Sequence, residues 1–217
     1  MMEKIRFLDE NGTFELRNPE AVSGLYFPLA SETGLKSAIA PDLAGDSKLD
    51  QESFLLEPVS IEDLRNSRGT RNFWCVTEKG CWSASGVSAE QEAARFTPDQ
   101  DESVLTAGFL WQTVRRTSRR YGLQAELTAF VPPDENVEIL EARVTNRDAA
   151  PQRVTGVAAV PIYGRSADNL RDHRNVTSML HRIRTTKYGV QVKPTMSFDE
   201  KGHRENHRIY YVCGTTR

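Results

Sequence analysis

The chain has 217 residues, with 28 lysines and arginines against 30 aspartates and glutamates, so it lacks the basic surplus typical of a nucleic-acid-binding domain. No stretch approaches the ~18 apolar residues of a membrane-spanning helix, and the first residues contain no apolar segment of a secretory signal. Three cysteines do not make a disulfide framework, which favours a reduced, cytoplasmic protein.

Turn residues predict β-hairpins from the start of the chain. The pair Asn11-Gly12 lies between two short apolar runs, the strongest short-range hairpin signal. Residues 25–30 and 35–40 flank a Ser-Glu-Thr-Gly turn, and Pro28 then requires an edge strand. The next segments predict a polar loop, a short strand and a capped helical turn, at residues 41–51, 53–59 and 60–65.

The middle of the chain predicts long paired strands. Residues 73–77 and 81–85 form an aromatic hairpin, and residues 109–118 and 123–131 form the longest one. The second arm of the longest hairpin alternates apolar with polar or aromatic residues, as a half-buried strand does. Two further strands, at 137–145 and 154–163, are joined by a turn, and the apolar run at 154–163 predicts a buried strand.

No segment shows the 3.6-residue apolar period of a helix over ten or more residues. The sequence therefore predicts an all-β fold, with long antiparallel strands in two packed sheets and a single domain over residues 1–217. Two last strands, at 188–194 and 208–212, are separated by a polar loop. Because the chain stops directly after a strand, we expect a truncated sheet.

A long run with few apolar residues, 164–184 (GRSADNLRDHRNVTSMLHRIR), follows the apolar run and is the most informative stretch of the chain. Arginine presents a rigid fork to paired oxygens, and aspartate and asparagine bridge neighbouring hydroxyls. Such a loop suits recognition of a polyol or a phosphate. An ordinary solvated loop with exposed charge pairs is the alternative interpretation.

Four stretches together resemble the N-terminal β-sandwich of the inverting glycoside phosphorylases of glycoside hydrolase family 94, also classed as glycosyltransferase family 36. These enzymes include the cellobiose, cellodextrin and 1,2-β-oligoglucan phosphorylases. The four stretches are GLYFPLASETG, FWCVTEKGCWSASG, VEILEARVTNRDAAPQRVTGVAAV and RDHRNVTSMLHR, at residues 24–34, 73–86, 137–160 and 171–182.

The resemblance implies a galactose mutarotase-like antiparallel super-sandwich. In the family this domain precedes a helical linker and an (α/α)6 barrel, which holds the catalytic acid and most of the phosphate site. This chain is too short to contain the barrel. We therefore expect no catalytic residue in it, no cofactor and no metal, with inorganic phosphate as co-substrate of the parent enzyme. The expected partners are a β-linked gluco-oligosaccharide, the missing helical catalytic domain and a second copy in a homodimer, but neither nucleic acid nor membrane.

The resemblance makes the loop at residues 171–182 the candidate substrate-binding element. The residues that we expect to contact a sugar or a partner barrel are Arg171, Asp172, His173, Arg174 and Thr177. The three tryptophans, Trp74, Trp82 and Trp111, form either a sugar-stacking platform or part of the core. The spacing of His203 and His207 is zinc-like, but the segment predicts a loop, so we favour a solvated position.

Two functional hypotheses follow. In the first, the chain is the N-terminal carbohydrate-binding and assembly domain of a phosphorylase that converts β-glucosides to α-glucose 1-phosphate, and it is inactive alone. In the second, it is a free-standing carbohydrate-binding module or a mutarotase-like sugar epimerase. An epimerase needs a histidine and a carboxylate facing each other across a cleft, and the sequence places its candidates in one loop.

Overall fold

The structure is a computed structural model that describes residues 5–22, 24–59, 71–167, 179–199 and 202–216. The described residues contain one 3-10 helix (Pro19–Ala21) and one α-helix, α1 (Ala89–Ala94). The first nine strands are β1 (Arg6–Phe7), β2 (Phe14–Arg17), β3 (Phe27–Ala30), β4 (Lys36–Ile39), β5 (Ser47–Asp50), β6 (Ser53–Leu56), β7 (Asn72–Thr77), β8 (Gly80–Ser83) and β9 (Glu102–Gly108). The next nine are β10 (Trp111–Ser118), β11 (Leu123–Phe130), β12 (Ile139–Asn146), β13 (Thr155–Ala159), β14 (His181–Thr185), β15 (Gly189–Pro194), β16 (Met196–Asp199), β17 (Gly202–Glu205) and β18 (Tyr210–Cys213).

These strands form five antiparallel sheets. The long sheet has the order β1-β2-β9-β10-β11-β12, and the four-stranded sheet has the order β3-β4-β5-β6. Two sheets have three strands, β13-β7-β8 and β14-β15-β18, and the hairpin β16-β17 stands alone. The all-β prediction is confirmed. In the part of the chain that the structure describes, no helix is long and apolar enough to cross a membrane.

One face of the long sheet makes the core of the sandwich. The inward side chains of β11 alternate strictly with outward ones, and all four are fully buried: Leu123, Ala125, Leu127 and Ala129. They pack against Leu29 and Ile39 of the four-stranded sheet and against Cys75 and Trp82 of the β13-β7-β8 sheet. Two layers of sheet thus bury one apolar interior, as a β-sandwich requires.

The predicted hairpins are present. Gly12 and Gly80 adopt the positive φ that tight turns require, 85° and 125°, and β10 pairs with β11 along its full length. β3 has a single neighbour in its sheet, so Pro28 lies on an edge strand.

Four predictions about strands were wrong. Residues 41–51 contain β5, and the polar segment before β18 contains the β16-β17 hairpin. The two strands predicted to be joined by a turn, β12 and β13, do not pair with each other, because β12 pairs with β11 and β13 pairs with β7. The strand at 154–163 is not buried: β13 is an edge strand, and Val157 is 44% exposed. The capped turn predicted at 60–65 lies outside the described residues.

Candidate functional site

The residues predicted to bind substrate, Arg171, Asp172, His173, Arg174 and Thr177, all lie outside the described residues. The structure does describe both ends of the segment that carries them. Residues 163–167 lead into it, and residues 179–181 lead out of it. We call these two ends, with the side chains around them, the loop base.

The incoming end of the loop base is fastened to the edge of the four-stranded sheet. The backbone N–H of Tyr163 donates to the carbonyl of Leu55 at 2.7 Å, and the N–H of Phe54 donates to the carbonyl of Arg165 at 2.9 Å. A third bond, from Ala167 N–H to the carbonyl of Gln51, is also 2.9 Å long. Residues 163–167 therefore extend the sheet beyond β6.

The outgoing end is fastened to the β14-β15-β18 sheet. The carbonyl of Leu180 accepts hydrogen bonds from the backbone N–H and the hydroxyl of Thr195, at 3.2 and 2.8 Å. The two ends meet at Gly164, where φ is +63° and a methyl group would be 3.4 Å from the Tyr210 ring and 3.6 Å from His181 Cε1. Both ends of the predicted loop are thus held by paired strands and lie side by side.

The side chains of the loop base carry one buried positive charge. The Arg165 guanidinium lies 4.3 Å from the centre of the Tyr163 ring, and its Nε donates to the Tyr163 carbonyl at 3.3 Å. Burial lowers the pKa of Arg165, but arginine keeps its proton in proteins. Burial, and then the charge of Arg165, lowers the pKa of His181, and burial raises that of Tyr210 to about 12. At neutral pH the loop base therefore contains the Arg165 cation beside a neutral imidazole and a neutral phenol.

The lowered pKa of His181 predicts that acid weakens the loop base. Between the ordinary histidine pKa of 6.5 and the lowered folded value, the unfolded chain binds more protons than the folded one, so stability falls as pH falls through this window. We expect the melting temperature of the wild type to drop more from about pH 7.5 to about pH 5.5 than that of His181→Gln. Parallel slopes for the two proteins in a thermal melt series would contradict this prediction.

A second polar cluster lies between the 3-10 helix, α1 and the long sheet. Arg116 is buried, and its Nη2 contacts Glu20 Oε1 at 2.5 Å and the Ser85 carbonyl at 3.3 Å. Burial alone would raise the pKa of Glu20, but the charge of Arg116 and the Ser103 hydrogen bond hold it below its ordinary value. Burial raises the pKa of the nearby Asp42.

The cavity at this cluster has a volume of about 20 Å³. That is room for about one water molecule. A sugar ring does not fit, so the cluster is best explained as a structural support. Gly86 is required there, because a methyl group at this position would lie 2.5 Å from the Arg116 guanidinium carbon.

The three tryptophans have different environments. Trp82 is 1% exposed and its indole N–H donates to Asp101 Oδ2 at 2.8 Å, so it belongs to the core. Trp74 is half-buried on β7, and Trp111 is half-buried on the outward side of β10. Of the two alternatives for the tryptophans, a sugar-stacking platform or part of the core, Trp82 takes the second.

The histidines near the end of the chain form no metal cluster in the described segments. His207 Nδ1 is 3.7 Å from Glu205 Oε1, and both side chains are exposed. No group of three potential histidine, cysteine or carboxylate ligands occurs among the residues that the structure describes.

The described residues form an antiparallel β-sandwich, and the loop base fastens both ends of the polar run to paired strands. The family model for the supersandwich domain of glycosyl hydrolase 94 matches residues 73–207, more than half of the chain. The chain therefore belongs to the glycosyl hydrolase 94 family, whose members are carbohydrate-active enzymes, and it carries the supersandwich domain of that family. No curated protein matches it.

Sequence analysis missed the role of the loop base. Arg165 and His181 belong to the polar run, but only the fold brings them together with Tyr163 and Tyr210. The sequence offers one signal for the loop base, the tyrosine-glycine-arginine sequence at residues 163–165. Its glycine lies where the two chain segments meet.

Proposed function

We propose that residues 1–217 form the single N-terminal carbohydrate-binding and assembly domain of an inverting glycoside phosphorylase. The parent enzyme acts on β-linked gluco-oligosaccharides, with inorganic phosphate as co-substrate. The domain works with a helical catalytic domain and assembles as a homodimer. It requires no cofactor. It acts in the cytoplasm, which agrees with the free thiols of Cys75, Cys81 and Cys213.

The observation that carries this proposal is the family match over residues 73–207, which includes the predicted loop and both of its ends. The structure adds a physical reason for a role of that loop. Fixed ends reduce the number of conformations open to a loop, which lowers the ordering cost of binding.

In the proposed reaction a phosphate oxygen attacks the anomeric carbon of the terminal glucose. The bond from that carbon to the glycosidic oxygen breaks, and a carboxylic acid gives the leaving oxygen its proton. Attack on the face opposite the leaving group converts a β-glucoside to α-glucose 1-phosphate, in analogy to inverting hydrolysis with phosphate in place of water.

We assign the catalytic acid to the helical domain. A general acid needs a pKa near the working pH. The buried Glu20 has a lowered pKa, and Glu138 is held by the Arg71 guanidinium. Asp42 has a raised pKa, but its cavity holds about one water molecule. These three carboxylates fit a structural role in the sandwich better than the role of an acid that protonates a glycosidic oxygen.

The test measures α-glucose 1-phosphate after incubation with phosphate and cellobiose, cellodextrins or 1,2-β-glucan. We expect the complete polypeptide that carries this chain to release it, and the purified 217-residue chain to release none. Circular dichroism of the chain, dominated by β-structure, controls for folding.

Phosphorolysis by the purified chain would place a catalytic acid within these residues and contradict the assignment. Release of glucose by the complete polypeptide at a rate independent of phosphate would contradict phosphorolysis itself.

A further inference from the structure

The outward face of the long sheet carries side chains in ordered rows. Residues opposite each other on neighbouring antiparallel strands point to the same side of the sheet. Trp111 is opposite Gly108 on β9 and Phe130 on β11, and Phe130 is opposite Ile139 on β12. This row, called the aromatic row after Trp111 and Phe130, has side chains on three strands and adjoins Gly108 on a fourth, at one end of the sheet. None of these side chains belongs to the two buried core clusters.

Trp111 lies along the sheet. A methyl group at Gly108 would come within 2.6 Å of Trp111 Nε1, 2.8 Å of Cε2 and 3.0 Å of Cζ2, so the indole leans from β10 across the bare backbone of β9. Glycine is required at position 108 for this arrangement. Trp111 is half-buried, and its indole N–H donates to no protein group in the described part of the chain.

A row of hydroxyl groups runs beside the aromatic row. Thr106, Thr113 and Thr128 lie opposite one another on β9, β10 and β11, and the hydroxyls of Thr113 and Thr128 are 2.8 Å apart. The two rows are about 7 Å apart, because successive outward residues of a strand are two residues apart. An apolar surface thus adjoins a line of groups that can both donate and accept hydrogen bonds.

Most of the remaining outward side chains are charged, and their charges balance, while Val104, Thr117, Gln124 and Thr145 are uncharged. Four arginines and four glutamates occupy the outward positions of the six strands: Arg6, Arg17, Arg115, Arg143, Glu15, Glu102, Glu126 and Glu141. Arg6 and Glu15 are paired at 3.0 Å, and Arg143 and Glu141 at 3.6 Å. A face without net charge suits a neutral ligand better than a phosphorylated, nucleic or strongly charged protein partner.

We propose that this outward face binds a neutral β-linked gluco-oligosaccharide, with one pyranose ring against the Trp111 indole and hydroxyls on the threonine row. The proposal rests on the proposed function for its ligand class, and it adds a binding surface separate from the loop base. The C–H bonds of a pyranose ring make an apolar face that packs on an aromatic ring, while its hydroxyls need polar partners. Only one row is apolar, which is little for the core of an interface between proteins.

The experiment is isothermal titration of the 217-residue chain with cellopentaose. We expect Trp111→Ala to weaken binding at least tenfold. We expect the same loss for Gly108→Val, which keeps the Trp111 indole but pushes it away from the backbone of β9. Thr113→Val keeps the shape of the side chain but removes its hydroxyl, and we expect a loss of about threefold to tenfold. Tyr211→Ala, which removes an exposed aromatic ring from β18 of a different sheet, is the matched control and leaves affinity within about twofold. Equal melting temperatures confirm that each variant is folded.

Absence of binding by the wild type, or equal binding by wild type, Trp111→Ala and Gly108→Val, overturns the proposal. The proposal is also overturned if sedimentation shows that Trp111→Ala converts a dimer to a monomer and that the sugar does not change this equilibrium. The outward face would then be a contact between two copies of the chain. The activity assay separates the two proposals. If the complete polypeptide releases glucose 1-phosphate but the chain does not bind cellopentaose, only the proposed binding face is refuted. If the chain binds cellopentaose at Trp111 but the complete polypeptide shows no phosphorolysis, only the phosphorylase function is refuted.

Discussion

Replacing Arg71 by alanine is expected to lower the free energy of unfolding by about 3–5 kcal/mol, because it leaves a buried carboxylate without its counter-charge. The Arg71 side chain is 3% exposed and that of Glu138 is 8% exposed. The guanidinium binds both oxygens of Glu138, with Nη2 at 2.8 Å from Oε2. It also donates to the carbonyls of Leu43 and Asp46, at 3.2 and 3.0 Å.

This arrangement makes Arg71 a junction between three sheets. It immediately precedes β7, Glu138 immediately precedes β12, and the two carbonyls belong to the segment between β4 and β5. Ser37 of β4 also donates to Glu138. Loss of the guanidinium removes four polar contacts at once in a place that water does not reach.

Urea unfolding of Arg71→Ala, with Arg184→Ala on the exposed β14 as control, measures this cost. The control is expected to stay within about 0.5 kcal/mol of the wild type. The double variant Arg71→Met, Glu138→Leu should recover much of the loss, since an apolar pair of similar volume replaces both charges. A loss below about 1 kcal/mol for Arg71→Ala would mean that water reaches the pair and that the junction is weaker than its geometry indicates.

Local signals in the sequence predicted the hairpins well. A hairpin depends on its turn residues and on alternation in its own arms, as at Gly12 and Gly80, so neighbouring residues suffice. β9 was missed because it lacks such a turn signal at its start and is defined by pairing with β2 and β10. Helix α1 was missed because it has no buried residue and therefore no apolar period; its signal is the capping box of Ser88 and Gln91.

Burial and long-range pairing could not be predicted in the same way. The apolar run at 154–163 indicated a buried strand, but burial requires a partner layer, and β13 pairs with β7 on one side only. Its partner strand is about eighty residues away along the chain. Likewise the density of arginine and aspartate only predicted a functional loop. The fold brings Arg165, His181 and Tyr210 together at its base from separate segments of the chain.

The loop itself carries the second large prediction. If it contacts a sugar or a partner barrel, Arg174→Ala in the complete polypeptide removes a bidentate donor from a desolvated contact. Such a removal costs about 2 kcal/mol or more, which is about a 30-fold loss of kcat/KM. Removing a guanidinium that lies in open water costs no more than about 0.5 kcal/mol, which is about a twofold change in kcat/KM. The two interpretations of the loop thus differ by an order of magnitude.

Stability should not follow activity in this variant. The ends of the loop are held by backbone hydrogen bonds to Leu55, Gln51 and Thr195, which do not involve the Arg174 side chain. The sandwich is therefore expected to melt at the same temperature with or without Arg174. Asp172→Ala and His173→Ala test whether neighbouring polar groups share the contact.

The most direct test is kcat/KM for phosphorolysis by the complete polypeptide, measured with melting temperature for the wild type, Arg174→Ala and the control Arg184→Ala. The account predicts a loss of at least about 30-fold for Arg174→Ala, an unchanged value for Arg184→Ala, and equal melting temperatures for all three. Values of kcat/KM within about twofold of the wild type for Arg174→Ala, Asp172→Ala and His173→Ala alike would show that the loop is only a solvated surface, and would contradict the function proposed for it.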